Sequence, residues 1–190
     1  MQDQNYKDIR DSCFLKRKNL SSKDQKCYSR AICSNIKTLS QYQNAKHIAS
    51  YMNINGEVDL SELLNLSSTN GKTYYFPAIM NDLTLCFLPA NTDSNFKLNE
   101  FGILEPEMNL AQAILPNQLD LILTPLVAFD QHGMRLGMGK GYYDRTLSTL
   151  RPKLLIGVAY EFQKQPFIQP QPWDVKLDAI VTEKTIYWSL

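Results

Sequence analysis

No apolar run in this 190-residue sequence approaches the ~20 residues that a membrane-spanning helix needs. The first residues, MQDQNYKDIR, lack the apolar stretch of a secretion signal. An excess of one charge is missing too. Twenty Lys and Arg stand against nineteen Asp and Glu, a formal net charge of +1, so no bulk field draws the chain to nucleic acid or to a membrane. Cys13, Cys27, Cys33 and Cys86 form no CxxC pair and have no histidine at zinc-ligand spacing. Free thiols in a reducing, cytoplasmic setting are therefore expected. What the chain does have is 44% hydrophobic residues, including eight Phe and ten Tyr, enough to fill a substantial core in a single domain spanning residues 1–190.

Glycine is scarce, yet four of the eight fall between Gly133 and Gly141. They punctuate the stretch TPLVAFDQHGMRLGMGKGYYDR, residues 124–145. Leu121–Leu123 and Leu126–Phe129 precede the glycines as an apolar run that suits a strand buried on both faces, with Pro125 marking its end or a bulge. Tyr142, Tyr143, Thr146, Leu147 and Leu150 follow at helical spacing. Glycines at Gly133, Gly137, Gly139 and Gly141 admit positive φ and let amides close on an anion, with a helix N-terminus aimed at the same spot. Two readings fit such glycines: a tight strand-to-helix connection or a phosphate-holding loop, and the flanking charges favour the second. The pattern is not Walker A, because Gly141 stands where Ser or Thr would, and it is not the dinucleotide GxGxxG, because Asp144 takes the last glycine.

Elsewhere, helices and strands alternate. Helical patterns are expected over residues 7–19 and after Ser22, which with Gln25 forms a capping-box signal. The basic cluster Lys16, Arg17, Lys18 reads as a solvated helix face. Strands are expected over residues 47–54, 73–78, 83–88, 154–159, 178–182 and 185–188, with a short helix about Leu60–Leu64 and a hairpin turn at Asn81–Asp82. Residues 91–118 read as an irregular lid or rim. The alternation predicts an α/β fold, a single-domain layered arrangement with a mostly parallel central sheet flanked by helices.

The segment AFDQHGMRLGMGKGYYDR closely resembles the signature of the 5-formyltetrahydrofolate cyclo-ligases. The likeness extends to an N-terminal helix with basic residues, a GEVD segment, an FP segment and a C-terminal VKLDAIVTE, and so covers essentially the whole chain. It implies an enzyme that uses ATP and Mg²⁺ to turn 5-formyltetrahydrofolate into 5,10-methenyltetrahydrofolate, with no nucleic acid, membrane or obligate protein partner.

Residue by residue, the resemblance implies catalytic roles for Lys140, Tyr142 and Arg145. It implies a nucleotide site built from Lys7, Arg10, Arg135, Leu136, Gly137, Met138, Gly139, Lys140, Gly141, Tyr142 and Tyr143. Met52, Glu57 and Tyr142 take the folate, Glu57 through paired hydrogen bonds from the pterin to its carboxylate. Asp144 and Asp178 take the metal. Read without the family, Lys140 is an exposed loop lysine, Asp144 a helix-capping acid, Glu57 a turn residue and Met52 a core strand residue.

The chain departs from the family pattern twice. Met138 stands where the signature usually carries arginine. In the first helix Arg10 matches the family arginine, but Tyr6 occupies the place of the lysine four residues earlier and Lys7 comes one residue late, a turn of about 100° around the helix. These departures keep open a noncatalytic reduced-folate or nucleotide-binding protein on the same fold.

Overall fold

The computed structural model describes residues 2–64, 71–91, 93–107 and 109–189. Two 17-residue helices open the chain, α1 (Gln2–Lys18) and α2 (Ser22–Thr38). Tyr6, Cys13 and Arg17, with Ile9, Arg10 and Phe14 beside them, fall on one stripe of α1 at three- and four-residue spacing, and this stripe faces the body of the protein. The cap of α2 is Ser21 rather than Ser22. Ser21 keeps an extended backbone and its Oγ accepts from Asp24 N at 3.1 Å, whereas Ser22 is already in the helix.

After a short α3 (Ser40–Asn44) the chain enters β1 (His47–Ala49). The strand is shorter than its apolar run predicts, because the chain leaves the sheet after Ser50 and turns at Asn55 and Gly56, both at positive φ. A single-turn α4 (Ser61–Leu64) precedes the hairpin β2 (Thr73–Ile79) and β3 (Leu85–Pro89). The stretch read as irregular holds a second hairpin, β4 (Phe96–Leu98) and β5 (Leu104–Pro106), followed by two 3₁₀ turns.

The signature is likewise more structured than a strand-to-helix loop. β6 (Leu121–Pro125) ends at its proline, and a small hairpin of β7 (Ala128–Phe129) and β8 (Arg135–Leu136) intervenes before the loop over residues 137–141 and α5 (Tyr142–Leu147). Then come β9 (Leu155–Val158), β10 (Ala179–Val181) and β11 (Ile186–Trp188).

Seven strands form the central sheet in the order β11-β10-β9-β6-β1-β2-β3. The five middle strands run parallel and the two edge strands antiparallel, so the fold is the layered, mostly parallel α/β arrangement. Residues 121–124 of β6 and 155–158 of β9 are buried throughout, as strands covered on both faces require. Ile36, Tyr42, Ile48, Leu63 and Tyr74 pack one face of the sheet; Phe87, Ile122, Phe129, Leu155 and Ile180 pack the other. The chain order reverses between β1 and β6: β2 and β3 lie on one side and β9 and β10 on the other. In such sheets the crevice beyond the carboxyl ends of the switching strands is where ligands sit.

Candidate active site

A cavity of about 340 Å³ opens at that place. Tyr51 and Met52, just past the end of β1, form part of its wall, and Pro125 and Leu126 at the end of β6 form another. Glu57 comes from the turn after β1. Arg135, Gly137, Met138, Lys140, Gly141, Tyr142, Tyr143 and Asp144 come from the signature. The fold thus brings Met52 and Glu57 to the same space as the glycine loop, although some eighty residues separate them in sequence.

Glu57 is 5% exposed. Its Oε2 accepts from Ile54 N at 3.1 Å, closing the turn, and its Oε1 lies 3.9 Å from Arg17 Nη1. Burial pushes its pKa up from 4.5 to about 7, against the pull of the Ile54 amide and the Arg17 charge. Arg17 itself is 3% exposed, so the solvated-face reading of the basic cluster holds for Lys16 and Lys18 but not for Arg17. The stripe spacing from Tyr6 through Cys13 to Arg17 is the signal that reveals it.

Gly141 caps α5 at φ +70°, and Gly139 also has positive φ; Gly137 does not, so its part is the open space at its Cα rather than backbone freedom. Gly133 lies at the β7–β8 turn instead of at the cavity, where a Cβ would stand 2.7 Å from Leu177 O. Lys140 is exposed, its Nζ 5.6 Å from the centre of the Phe101 ring. Phe101 meets Tyr142 edge-on at 6.1 Å. The β4–β5 hairpin therefore forms a wall of the cavity. Asn99 Oδ1 holds the turn by accepting from Phe101 N and Ile103 N, and Glu105 ties it to β2 by accepting from Asn99 Nδ2 at 2.8 Å and Ile79 N at 3.1 Å.

The glycine loop is held from behind. Arg10 Nε donates to Gly137 O at 2.9 Å, so α1 reaches the loop through Arg10. Lys7 is exposed and lies outside the cavity wall, and Tyr6, in the lysine's place, is buried with its hydroxyl bonded to Gln169 O. Leu136 is buried among Tyr6, Cys13 and Val127, so its side chain belongs to the core. Arg135, 7% exposed, spends one terminal nitrogen on Asp144 Oδ1 at 2.7 Å and the other on Val175 O. Arg145 is not part of the cavity wall; its Nη1 donates to Leu83 O at 2.6 Å.

The two acids read as metal ligands do not meet. Asp144 Oδ1 accepts from Arg135 and from Val175 N, and Oδ2 accepts no hydrogen bond among the described residues. Asp178 is absent from the cavity wall: its oxygens accept from Arg151 Nη2 and Leu155 N, both at 2.7 Å. It precedes β10 and faces the first residue of β9, which puts it at the amino edge of the parallel strands, opposite the cavity. No group of three or more His, Cys, Asp or Glu side chains able to hold a metal occurs among the described residues. One carboxylate that keeps an oxygen free still fits Mg²⁺, which takes one or two carboxylates and completes its shell with water and substrate phosphates.

A family model for the 5-formyltetrahydrofolate cyclo-ligase family matches residues 2–183. The chain belongs to this family. It is 36% identical over 182 residues to the 5-formyltetrahydrofolate cyclo-ligase of Haemophilus influenzae, covering 93% of this chain and 97% of the relative. The cyclo-ligase of Escherichia coli K12 is 30% identical over 176 residues, with 90% and 97% covered. The NMR structure of Aquifex aeolicus 5,10-methenyltetrahydrofolate synthetase superimposes with a TM-score of 0.85 at 34% identity, covering 96% of this chain and 92% of that one. The 5,10-methenyltetrahydrofolate synthetase from Mycoplasma pneumoniae gives 0.75 at 32% identity, with 94% and 98% covered. The cyclo-ligase fold thus accounts for the chain from α1 through β10.

Proposed function

We propose that this chain converts 5-formyltetrahydrofolate and ATP to 5,10-methenyltetrahydrofolate, ADP and phosphate. The observation that carries the proposal is that Glu57 and the Lys140–Tyr142 loop line one cavity at the carboxyl ends of β1 and β6. A folate site and a phosphate site that share a wall are what a direct phosphoryl transfer between the two ligands requires.

The formyl oxygen is a poor leaving group. Transfer of the γ-phosphoryl to it gives an iminium phosphate; nitrogen 10 then attacks the formyl carbon, and phosphate departs with that oxygen. In this reading Glu57 accepts the paired N–H groups of the pterin, and Met52 lies against its apolar face. Lys140 offsets the charge on the moving phosphoryl, while the amides of residues 137–141 cradle the nucleotide. Tyr142, held against Phe101, packs on the folate. Arg10 and Arg135 act from behind the loop, Arg10 on Gly137 O and Arg135 on Asp144. Asp144 would hold Mg²⁺ through Oδ2, and the bound ion would neutralise phosphate charge.

No membrane, nucleic acid or protein partner is invoked. No described helix is long and apolar enough to cross a membrane, and the four free cysteines suit a reducing, cytoplasmic setting. The near-ultraviolet absorbance of the methenyl product is the test. It is expected only when ATP and Mg²⁺ are both present, with one ATP cleaved per turnover. Folate binding without ATP cleavage would instead identify a noncatalytic folate-binding protein.

A further inference from the structure

Arg17 stands behind the folate wall of the cavity. Its Nη1 donates to Leu126 O at 3.4 Å and lies 3.9 Å from Glu57 Oε1, and both Leu126 and Glu57 face the cavity. Its guanidinium carbon is 4.8 Å from the centre of the Phe14 ring. The turn before Glu57 packs directly on it: a Cβ added at Gly56 would sit 3.4 Å from Arg17 O. Nε and Nη2 are buried and have no hydrogen-bond partner among the described residues.

A guanidinium so buried is costly unless something returns the expense. Among the described residues, Glu57 is the acid within ion-pair distance of it. Stability alone does not account for the arrangement, because well-packed apolar side chains usually replace a buried ion pair at little loss.

We propose that Arg17 is a positioning residue for the folate site: it supplies the positive charge behind Glu57 that keeps this carboxylate an anion, oriented to accept from the pterin. The inference rests on the folate reading of the cavity. A pterin edge offers an amine and a ring N–H together, and two donors need two acceptor oxygens. A protonated Glu57 would turn its own donor toward a donor. Ile54 N fixes Oε2 and Arg17 attracts Oε1, so the carboxylate is oriented through both oxygens. The other ionisable groups around Glu57 are the hydroxyls of Tyr51, Tyr143 and Tyr160, from the end of β1, α5 and the end of β9. Burial raises the pKa of all three, so they are neutral near pH 7 and leave Arg17 the nearby cation.

The experiment is a calorimetric titration of the full chain with 5-formyltetrahydrofolate, without ATP, across the titration of Glu57. Wild-type affinity should fall as pH drops through about 7. Removing an opposite charge at this range moves a carboxyl by about 1–3 pH units, so in Arg17→Met the midpoint should shift that far to the alkaline side. Folate affinity near neutrality should then fall roughly fivefold for the first unit of midpoint shift and about tenfold more for each further unit. The loss should appear in KM for the folate rather than in kcat at saturating folate. Arg17→Lys should keep the midpoint close to that of wild type, and in a Glu57→Gln background Arg17→Met should add no further pH dependence. Arg17→Gln gives the same reading if the methionine variant does not fold. A midpoint that stays in place when the charge is removed would reduce Arg17 to a packing residue and overturn the proposal. A wild-type chain that binds no 5-formyltetrahydrofolate at any pH would instead overturn the folate reading itself.

Discussion

Phe101 and Tyr142 meet edge-on at the cavity wall, their ring centres 6.1 Å apart, although one belongs to the turn of the β4–β5 hairpin and the other opens α5. Edge-to-face pairs of this kind contribute about 0.5–1.5 kcal/mol beyond area burial. Phe101 is 43% exposed, so its work is at the site more than in the core. Phe101→Ala should raise KM for the folate by up to about tenfold, ~1.4 kcal/mol being a factor of ten, and leave the melting temperature nearly unchanged. Steady-state kinetics beside thermal denaturation separates the two effects; a melting temperature that collapses would make the ring structural.

Lys140→Met should act on the chemistry. Its side chain is exposed and touches only the Phe101 ring among the contacts seen, so folding loses little. Loss of one group that stabilises transition-state charge costs typically about 10²–10³ in kcat. Single-turnover rates of product formation should fall by that order, and an unchanged rate would take Lys140 out of the site.

Glu57 makes stability depend on pH. Its folded pKa of about 7 lies above the ordinary value of 4.5, so between those values the unfolded chain ionises while the folded chain keeps the proton. Stability should therefore fall as pH rises across that window and level off above it. At ~1.36 kcal/mol per unit the whole effect is roughly 3 kcal/mol. In Glu57→Gln the fall over this window should flatten. Denaturant unfolding at several pH values reads it directly, and equal slopes in the two proteins would refute the assignment.

Asp144 and Asp178 should behave differently toward metal. Asp144→Asn keeps an oxygen for Arg135 and Val175 N but loses Oδ2 as a ligand, so activity should require more Mg²⁺. Asp178→Asn breaks a half-exposed bridge to Arg151 and weakens the contact to Leu155 N. A loss of about 1 kcal/mol, some 2–4 °C in melting temperature, is expected, with the Mg²⁺ requirement unmoved. Mg²⁺ titrations of both variants decide which acid serves the metal.

Met138 lines the cavity and is 48% exposed, so an arginine there has room to reach a phosphate. A charge-assisted contact is worth about 1.5–3 kcal/mol before the cost of ordering the side chain. Met138→Arg should tighten ATP binding by about tenfold while leaving folate affinity alone. Weaker ATP binding at both low and high ionic strength would show that the position does not face phosphate.

Local patterns in the sequence foretold the parallel sheet, because the buried runs at residues 121–124 and 155–158 have no polar alternation. The glycines with their charges foretold the loop. Pairings across long stretches of chain were harder to read. The β7–β8 hairpin is two residues per strand, too short for any periodicity to show, and it hid inside what looked like loop. The three-residue strands β4 and β5 were hidden for the same reason, although the stretch that holds them reads as a rim and does line the cavity. Arg17 was misread on its neighbours, Lys16 and Lys18, which are solvated; the stripe through Tyr6 and Cys13 carries it inward. Asp178 is a site acid by family resemblance alone, since an acid before a strand is commonplace, and only the sheet direction tells which end of that strand it occupies.

The place of β1 in the sheet bears on how the protein is made. β1 carries Tyr51 and Met52 to the cavity, yet one of its two neighbours in the sheet, β6, is synthesised some seventy residues later, where Ile48 pairs with Leu121. Contacts of that span are slow to form because a long loop must close first. On the ribosome β1 and β2 emerge with one flank of β1 still bare, and the ligand crevice does not exist until β6 has emerged and docked. Folate added to a translating chain should therefore protect it from proteolysis only late in synthesis, once the two halves of the crevice have joined.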